Sequence, residues 1–262
     1  MSGKPLLFNV PTKDNQKLAL ALAKVNENAT LTSWWYCSNI NAINRMHIND
    51  HGPVHIKIVS NLALKLLRLL REHGVQASVV KDHQLSDDDA EVILFLAVCL
   101  HDLGHIVHRQ DHERFSIGLA TALLPELLDG IYAGRERAIV MVEVLHAIYA
   151  HDTEVNPFTV EAGCLKVADA LDMEQGRARI PFSLGEPTIH AVSALAIDEV
   201  QVSKGQEMPI CIQIKMSNSA GIFQIDELLR RKLGNSSIAD YVEIEVKIEA
   251  EVEKRLVKLY TF

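Results

Sequence analysis

One stretch of the sequence, from Ala97 to Ser116, constrains this chain more than any other. It reads AVCLHDLGHIVHRQDHERFS and holds four of the twelve histidines of the chain. The apolar run VILFLAVCL leads into it from Val92, and such a run is typical of a helix buried in the core. Polar groups at the end of a buried helix are costly unless they are paired or bind a metal. The stretch therefore predicts a metal site.

The four histidines of this stretch are spaced at helical intervals. At roughly 100° per residue, the offsets of 0, 4, 7 and 11 return to one side of a helix. If the helix continues through the motif, one stripe carries all four imidazoles: His101, His105, His108 and His112.

Composition and net charge limit the classes of protein to which this chain can belong. The 262 residues are 48% apolar and 23% charged, enough for one large domain, or for a domain of ordinary size and a small one. The net charge of −8 argues against broad nucleic-acid binding. The four cysteines form no C-x-x-C pair, which indicates reduced thiols. Because no run is long enough to span a membrane and no signal peptide is evident, we expect a soluble, cytoplasmic protein without membrane association.

Hydrophobic periodicity and capping residues predict a helical first part. We expect a polar loop over residues 75–85 and a central helix capped at Ser86, with the aspartates at 87–89 in its first turn. The other predicted helices cover residues 12–28, 33–46, 53–72, 115–128, 135–150 and 161–173.

The pattern changes after residue 185. From Ile189 onwards apolar residues alternate with polar ones, which predicts about four strands, and a helix is expected over residues 224–233. We therefore divide the chain into a helical domain, 1–185, and a small α+β appendage, 186–262. The exposed strand edges of the appendage, or its helix, could form a homo-oligomer contact or cover a catalytic mouth.

Three helical segments each carry a costly polar group. His55 lies at a helix start, His101 and Asp102 at a helix end, and Asp169 within an apolar helix. Such nitrogen and oxygen ligands suit a divalent cation of the Mn, Fe, Ni, Co, Zn or Mg type.

The ordered pattern H…HD…D over a helical region resembles the HD-domain metal-dependent phosphohydrolase superfamily. The resemblance covers about residues 40–185 and includes HDLGH and KVADALDM. It implies a mainly α fold, an HD-domain-like helical bundle followed by the small α+β domain, and one or two divalent metal ions per chain. The metal ligands that it implies are His55, His101, Asp102 and Asp169. His47 and His51 remain alternatives to the first of these.

Further histidines match segments of particular members. HERFS resembles a His-Glu…Ser element that works at the reaction centre in some HD hydrolases, and VLHAIYAHD resembles a segment that supplies another histidine, with His151 in that place. Because His146 and His151 are ~140° apart on a regular helix, they cannot both face one site. The resemblance thus implies a catalytic role or a second metal for four residues: His105, His112, His151 and Asp102. His108 also remains a candidate.

The resemblance implies hydrolysis of a small phosphorylated compound, a nucleotide or phosphomonoester, by a metal-activated water. Asp102 would orient or deprotonate that water and His112 would protonate the leaving oxygen. The cations expected to bind substrate phosphate are Arg45, Arg177 and Arg179.

Two other functions stay open. One is a phosphodiesterase acting on a cyclic dinucleotide or an RNA end, although HDLGH departs from the H-D-x-G-K form of the HD-GYP type and no GYP is present. The other is an HD module that senses nucleotides without turnover. Fold does not fix function, so turnover by purified protein has to separate them.

Overall fold

A computed structural model describes residues 9–174, 193–248 and 260–261. Its first part is helical, and its core is built around the apolar helix α5, which packs against α1, α3, α7 and α8. Every residue of α5 from Asp89 to Leu100 is buried. The helices are α1 (Gln16–Glu27), α2 (Ala29–Asn39), α3 (Pro53–Glu72), α4 (Ser78–His83), α5 (Asp87–Leu100), α6 (His112–Leu127), α7 (Gly134–Ala150) and α8 (Val160–Leu171).

The helix starts follow from local sequence. Pro53 opens α3 at a position where its missing N–H costs nothing. Ser86 and Asp89 form a reciprocal capping box at the start of α5, as the sequence predicts for Ser86. The Thr159 hydroxyl accepts the Ala162 N–H at the start of α8. These caps fix where α3, α5 and α8 begin.

A buried ion pair ties α3 to α5. Arg68 donates from Nε to Glu91 Oε1 at 2.8 Å and from its Nη2 to Oε2 at 2.9 Å. Asn15 and Arg71 also donate to this carboxylate. Burial alone would raise the pKa of Glu91, but the hydrogen bonds and charge of Arg68, with those of Asn15 and Arg71, lower it below its ordinary value.

The C-terminal unit, residues 193–248, forms a small sheet with a helix. Strands β1 (Ile197–Lys204) and β2 (Ile210–Met216) pair antiparallel, and β2 pairs parallel with β3 (Val242–Ile248). The two-residue strand β4 (Tyr260–Thr261) completes the order β1-β2-β3-β4. A helical crossover connects β2 to β3, and we call it α9; it consists of Ile222–Gln224, a π-helical stretch Ile225–Arg230, and Arg231–Gly234.

The mainly helical first part and the small C-terminal sheet are therefore confirmed. The apolar residues that alternate along β2 and β3 are buried, as the period-two pattern predicts. The proposed boundary at residue 185 lies outside the described residues and stays a prediction. No helix in the described ranges is both long and apolar enough to cross a bilayer.

Two local expectations were wrong. The loop expected at residues 75–85 contains the short helix α4. The continuous helix through the histidine motif is also wrong, because α5 ends at Leu100, a 3₁₀ turn covers Leu103–Ile106, and α6 begins only at His112. Asp111 precedes α6 with a positive φ of 59°, so the chain reverses there rather than continuing as a helix. His108 lies exposed on this reversal.

Candidate metal centre

A cavity of about 970 Å³ lies at the carboxyl end of α5. Its wall combines the end of α5, the start of α6, the end of α8 and the chain that follows α7. The chain before α3, with His47 and His51, closes another side, and α9 of the C-terminal unit contributes Leu228 and Lys232. The volume is within the range that small-molecule sites usually have.

The four predicted ligands converge on one point of this region. His55 Nε2 lies 3.3 Å from both Asp102 Oδ2 and Asp169 Oδ1, and 3.4 Å from His101 Nε2. His101 Nε2 is 3.4 Å from Asp102 Oδ2 and 3.7 Å from Asp169 Oδ1. Atoms bound tetrahedrally to one ion at roughly 2.1 Å lie about 3.4 Å from each other. We call His55, His101, Asp102 and Asp169 the first set.

A second set of nitrogens faces the other oxygen of Asp102. Asp102 Oδ1 lies 3.3 Å from His112 Nε2, 3.6 Å from His105 Nε2 and 3.8 Å from His151 Nε2. The Nε2 atoms of His112 and His151 are 3.3 Å apart. We call His105, His112 and His151 the second set. Asp102 therefore has one carboxylate oxygen beside each set, an arrangement suited to a bridging ligand.

Hydrogen bonds on the outer side fix the tautomer of four histidines. Each donates its Nδ1–H to an oxygen, so its Nε2 presents a lone pair to the centre. The donors and acceptors are His55 to the Asp172 carboxylate (2.6 Å), His101 to the Val98 carbonyl (2.8 Å), His112 to the Arg109 carbonyl (3.0 Å) and His151 to the Ile148 carbonyl (2.5 Å). Within each set, two Nε2 atoms thus face each other across 3.3–3.4 Å, a spacing that a cation bound between them would satisfy.

His105 adds an independent observation. Its ring is 1% exposed and lies between those of His51 and His112, with centroid distances of 4.3 and 4.2 Å. Burial lowers the pKa of His105 to about 2, so the ring is neutral near pH 7. In the described ranges neither ring nitrogen has a hydrogen-bond partner. A buried imidazole without hydrogen-bond partners is energetically unfavourable. An imidazole that binds a metal avoids this cost, because the metal is the partner of its nitrogen.

Both carboxylates of the first set are ionised. Burial alone would raise their pKa values, but the surroundings outweigh it. The neighbouring histidines, His101 foremost, hold the pKa of Asp102 well below its ordinary value. The charge of Lys232 and hydrogen bonds from His101 and His55 do the same for Asp169. Carboxylate oxygens and imidazole nitrogens form a donor set that fits a divalent cation.

Gly104 of the HDLGH motif brings the two sets together. Its N–H donates to the Ser116 hydroxyl at 2.8 Å, and that hydroxyl donates to the His101 carbonyl at 2.5 Å. A Cβ at position 104 would lie 1.9 Å from the backbone carbonyl oxygen of His112. Only glycine lets the start of α6 approach the end of α5 this closely. The motif thus places His112 beside Asp102.

The alternatives for the first ligand do not exclude one another. His51 Nδ1 lies 2.7 Å from Asp102 Oδ2, so His51 and His55 both reach the carboxylate. His47 is exposed, has a positive φ of 54° and lines the cavity. His146 stacks on Phe158 away from the two sets, with ring centroids 5.2 Å apart.

Of the three arginines expected to bind the substrate phosphate, one does not line the cavity and two lie outside the described residues. Arg45 is exposed on a π-helical stretch, Ile40–Arg45, where it donates to Asn41 Oδ1. Arg177 and Arg179 lie outside the described residues, and their role stays a prediction.

Two residues of the site were missed by sequence reasoning. Asp172 holds His55, and its position three residues after Asp169 is a helical spacing that could have found it. Lys232 donates to Asp169 Oδ2 at 2.5 Å from the far end of the chain. No local pattern around Lys232 indicates this contact, because it depends on how α9 packs against α8.

Comparison with known proteins agrees with this geometry. The family model described as HD domain matches residues 54–174, a range that holds both sets and Asp172. The chain is 41% identical over 225 residues to a protein of Methanocaldococcus jannaschii described as "Uncharacterized protein MJ1020", covering 86% of this chain and 87% of the relative. No solved structure matches the chain. With the H…HD…D residues placed in one cluster, the chain belongs to the HD-domain superfamily of metal-dependent phosphohydrolases.

Proposed function

We propose that this protein is a metal-dependent phosphohydrolase that acts on a small phosphorylated compound, a nucleotide or a phosphomonoester. The observation that carries the proposal is the position of Asp102, which turns one carboxylate oxygen to the first set and the other to the second. Two sets of donors joined by one carboxylate suit one or two divalent ions beside a cavity of substrate size.

The chain's own residues hold and orient what the reaction needs. Bound divalent ions polarise a phosphoryl oxygen and lower the pKa of a water, so that a nucleophile exists near neutral pH. Asp102 would orient that water and accept its proton. Asp172 keeps Nε2 of His55 directed inward, and the backbone carbonyl of Arg109 does the same for Nε2 of His112.

His112 has two possible tasks that depend on metal stoichiometry. Burial alone would lower the pKa of His112, but the hydrogen bond and charge of Asp102, with Glu113, raise it above its ordinary value. If only the first set held an ion, His112 would be able to carry a proton and donate it to the leaving oxygen. If a second ion were bound, His112 would instead help to hold that ion. The stoichiometry of the purified protein decides between them.

The test combines metal analysis with turnover. Purified full-length protein is analysed for metal and assayed for phosphate release from nucleotides, phosphomonoesters and diesters with Mn²⁺, Ni²⁺, Co²⁺ and Mg²⁺. Asp102→Ala is the site variant, and Asp82→Ala, at an exposed position of α4, is the matched control. We expect one or two ions per chain, and turnover that Asp102→Ala abolishes and Asp82→Ala retains.

The outcomes separate the alternatives. Preference for diesters would favour the phosphodiesterase. Metal without turnover of any compound would refute hydrolysis and favour nucleotide sensing. A protein that takes up no metal under any loading condition would refute the site itself. The homo-oligomer remains a proposal, which light scattering at micromolar concentration would refute by showing a monomer.

A further inference from the structure

We propose that Lys232 of the C-terminal unit binds the phosphoryl group of the substrate. This inference rests on the proposed function and adds a substrate-binding residue from outside the HD-domain match, which ends at residue 174. It also gives the C-terminal unit a task, since α9 then forms one wall of the active site.

The position of Lys232 relative to the metal ligands is the first observation. Its Nζ donates to Asp169 Oδ2, whereas Asp169 Oδ1 faces His55 and His101. The side chains of Lys232 and Asp169 are 13% and 16% exposed, and both line the cavity. A lysine ammonium has three N–H donors, and Asp169 takes one. Within residues 9–174 and 193–248, Asp169 is the acceptor recorded for this ammonium, so its other N–H groups can reach a ligand beside the first set.

The charge of the cavity wall is the second observation. Carboxylates dominate it, and a phosphate approaching them needs a fixed cation. Among the described residues that line the cavity, Lys232 and Arg109 are the cations apart from histidine. Arg109 is exposed on the reversal before α6, and Arg45 is not in the described wall. Lys232 is therefore the cation held next to the ligands, and lysine is a common phosphate-binding residue.

The backbone that carries Lys232 is fixed against the helical part. Arg231 pairs with Glu154 at 2.8 Å, and Asn235 donates to the Thr153 carbonyl at 2.8 Å. Further along, Ser237 packs on α8 so closely that a Cβ at Gly163 would lie 2.2 Å from its hydroxyl. A positively charged group held this firmly needs little ordering when a ligand binds.

The test measures binding of inorganic phosphate to the full-length, Mn²⁺-loaded protein by isothermal titration calorimetry. The variants are Lys232→Met, the conservative Lys232→Arg, and Arg230→Met as control, because Arg230 is an exposed cation of the same helix that pairs with Asp226. Lys232→Met should weaken phosphate binding by about tenfold or more, while Lys232→Arg retains most of it. Arg230→Met should bind as the wild type does. Manganese content and circular dichroism are measured on every variant and should not change.

Each other result overturns the inference. Phosphate binding by Lys232→Met equal to that of the wild type, or no phosphate binding by the wild type, would show that Lys232 is not a phosphate ligand. Loss of manganese from Lys232→Met, or failure of Lys232→Arg to restore binding, would reduce Lys232 to a residue that positions Asp169. Failure of the proposed function can be distinguished from failure of this inference. Lys232-dependent phosphate binding without hydrolysis would refute the hydrolase and retain the role of Lys232. If Lys232→Met hydrolyses p-nitrophenyl phosphate with the KM of the wild type, the hydrolase is retained and the inference about Lys232 is refuted.

Discussion

Replacement of Asp172 tests the metal centre without touching a proposed ligand. The Asp172 carboxylate accepts the Nδ1–H of His55 at 2.6 Å, and both side chains are almost fully buried. This bond directs the His55 lone pair towards the first set. Loss of such an outer partner typically weakens metal binding by about 10- to 100-fold. At about 1.4 kcal/mol for each factor of ten, that range corresponds to about 1.4–2.8 kcal/mol.

Two variants divide this effect into charge and hydrogen bonding. Asp172→Asn retains an oxygen that can accept from His55 but removes the negative charge, so its metal affinity should fall by about tenfold. Asp172→Ala removes the acceptor as well and should fall towards 100-fold. The alanine variant also leaves a buried N–H unpaired, which should cost the metal-free protein about 1–3 kcal/mol of unfolding free energy.

Metal affinity is measured by titrating metal-free protein with Mn²⁺ or Zn²⁺ against a chromophoric chelator, and unfolding free energy by urea denaturation in the presence of EDTA. Asp82→Asn is the matched control at an exposed position and should change neither quantity. If folded Asp172→Ala binds metal as tightly as the wild type, His55 is not a ligand that Asp172 orients, and the assignment of the first set fails.

Three further predictions follow from the same structure. Metal at 100 times its Kd should raise the unfolding free energy by about 2.7 kcal/mol and the Tm by about 5–11 °C in a thermal scan, and no shift with any divalent ion would contradict the site. Gly104→Ala should lower the unfolding free energy by on the order of 3 kcal/mol, because its Cβ meets the His112 carbonyl, whereas Gly118→Ala on exposed α6 has open space and should raise it by about 0.5–1 kcal/mol; equal urea midpoints would refute this reasoning. Because the folded pKa of Glu91 is lowered, its ion pair with Arg68 stabilises the fold above about pH 4.5, the ordinary value, and this contribution is lost as pH falls through the folded pKa. Glu91→Gln should therefore lose on the order of 3 kcal/mol at pH 7, and its difference from the wild type should shrink on acidification in urea titrations; a constant difference would contradict the sign.

The sequence predicted the gathering of distant ligands better than it predicted local geometry. His55, the pair His101–Asp102 and Asp169 lie in three separate segments, and each interrupts an apolar or helix-terminal context in which an unpaired polar group is costly. The structure places them together, and their role as ligands stays a prediction. Periodicity alone could not show where α5 ends, because the same spacing of histidines fits a helix and a helix–turn–helix.

The elements that sequence reasoning missed depend on tertiary contacts. The reversal before α6 follows from the positive φ of Asp111 and the close approach at Gly104, neither of which changes the hydrophobic pattern. Lys232 reaches Asp169 only because β2 and β3 are parallel and their crossover helix lies against α8. Residues from one helix can be placed by spacing, but a partner from another layer requires the packing itself.

His105 shows that this centre is built at the expense of stability. Without metal, its buried ring leaves both nitrogens without partners in the described part of the chain, between the rings of His51 and His112. Phenylalanine is of similar size, stacks in the same way and has no polar atom to leave unpaired. His105→Phe should therefore stabilise the metal-free protein by about 1–3 kcal/mol.

The same substitution should remove a ligand from the second set, so that the gain in Tm on adding metal becomes smaller while metal binding at the first set remains. Thermal scans with EDTA and with Mn²⁺ give both quantities, and elemental analysis gives the number of ions. His83→Phe, at a partly exposed position that pairs with Glu143, is the control for a general effect of the exchange. If His105→Phe destabilises the metal-free protein, His105 has a structural hydrogen-bonding role, and its unpaired nitrogens cannot be explained by a metal.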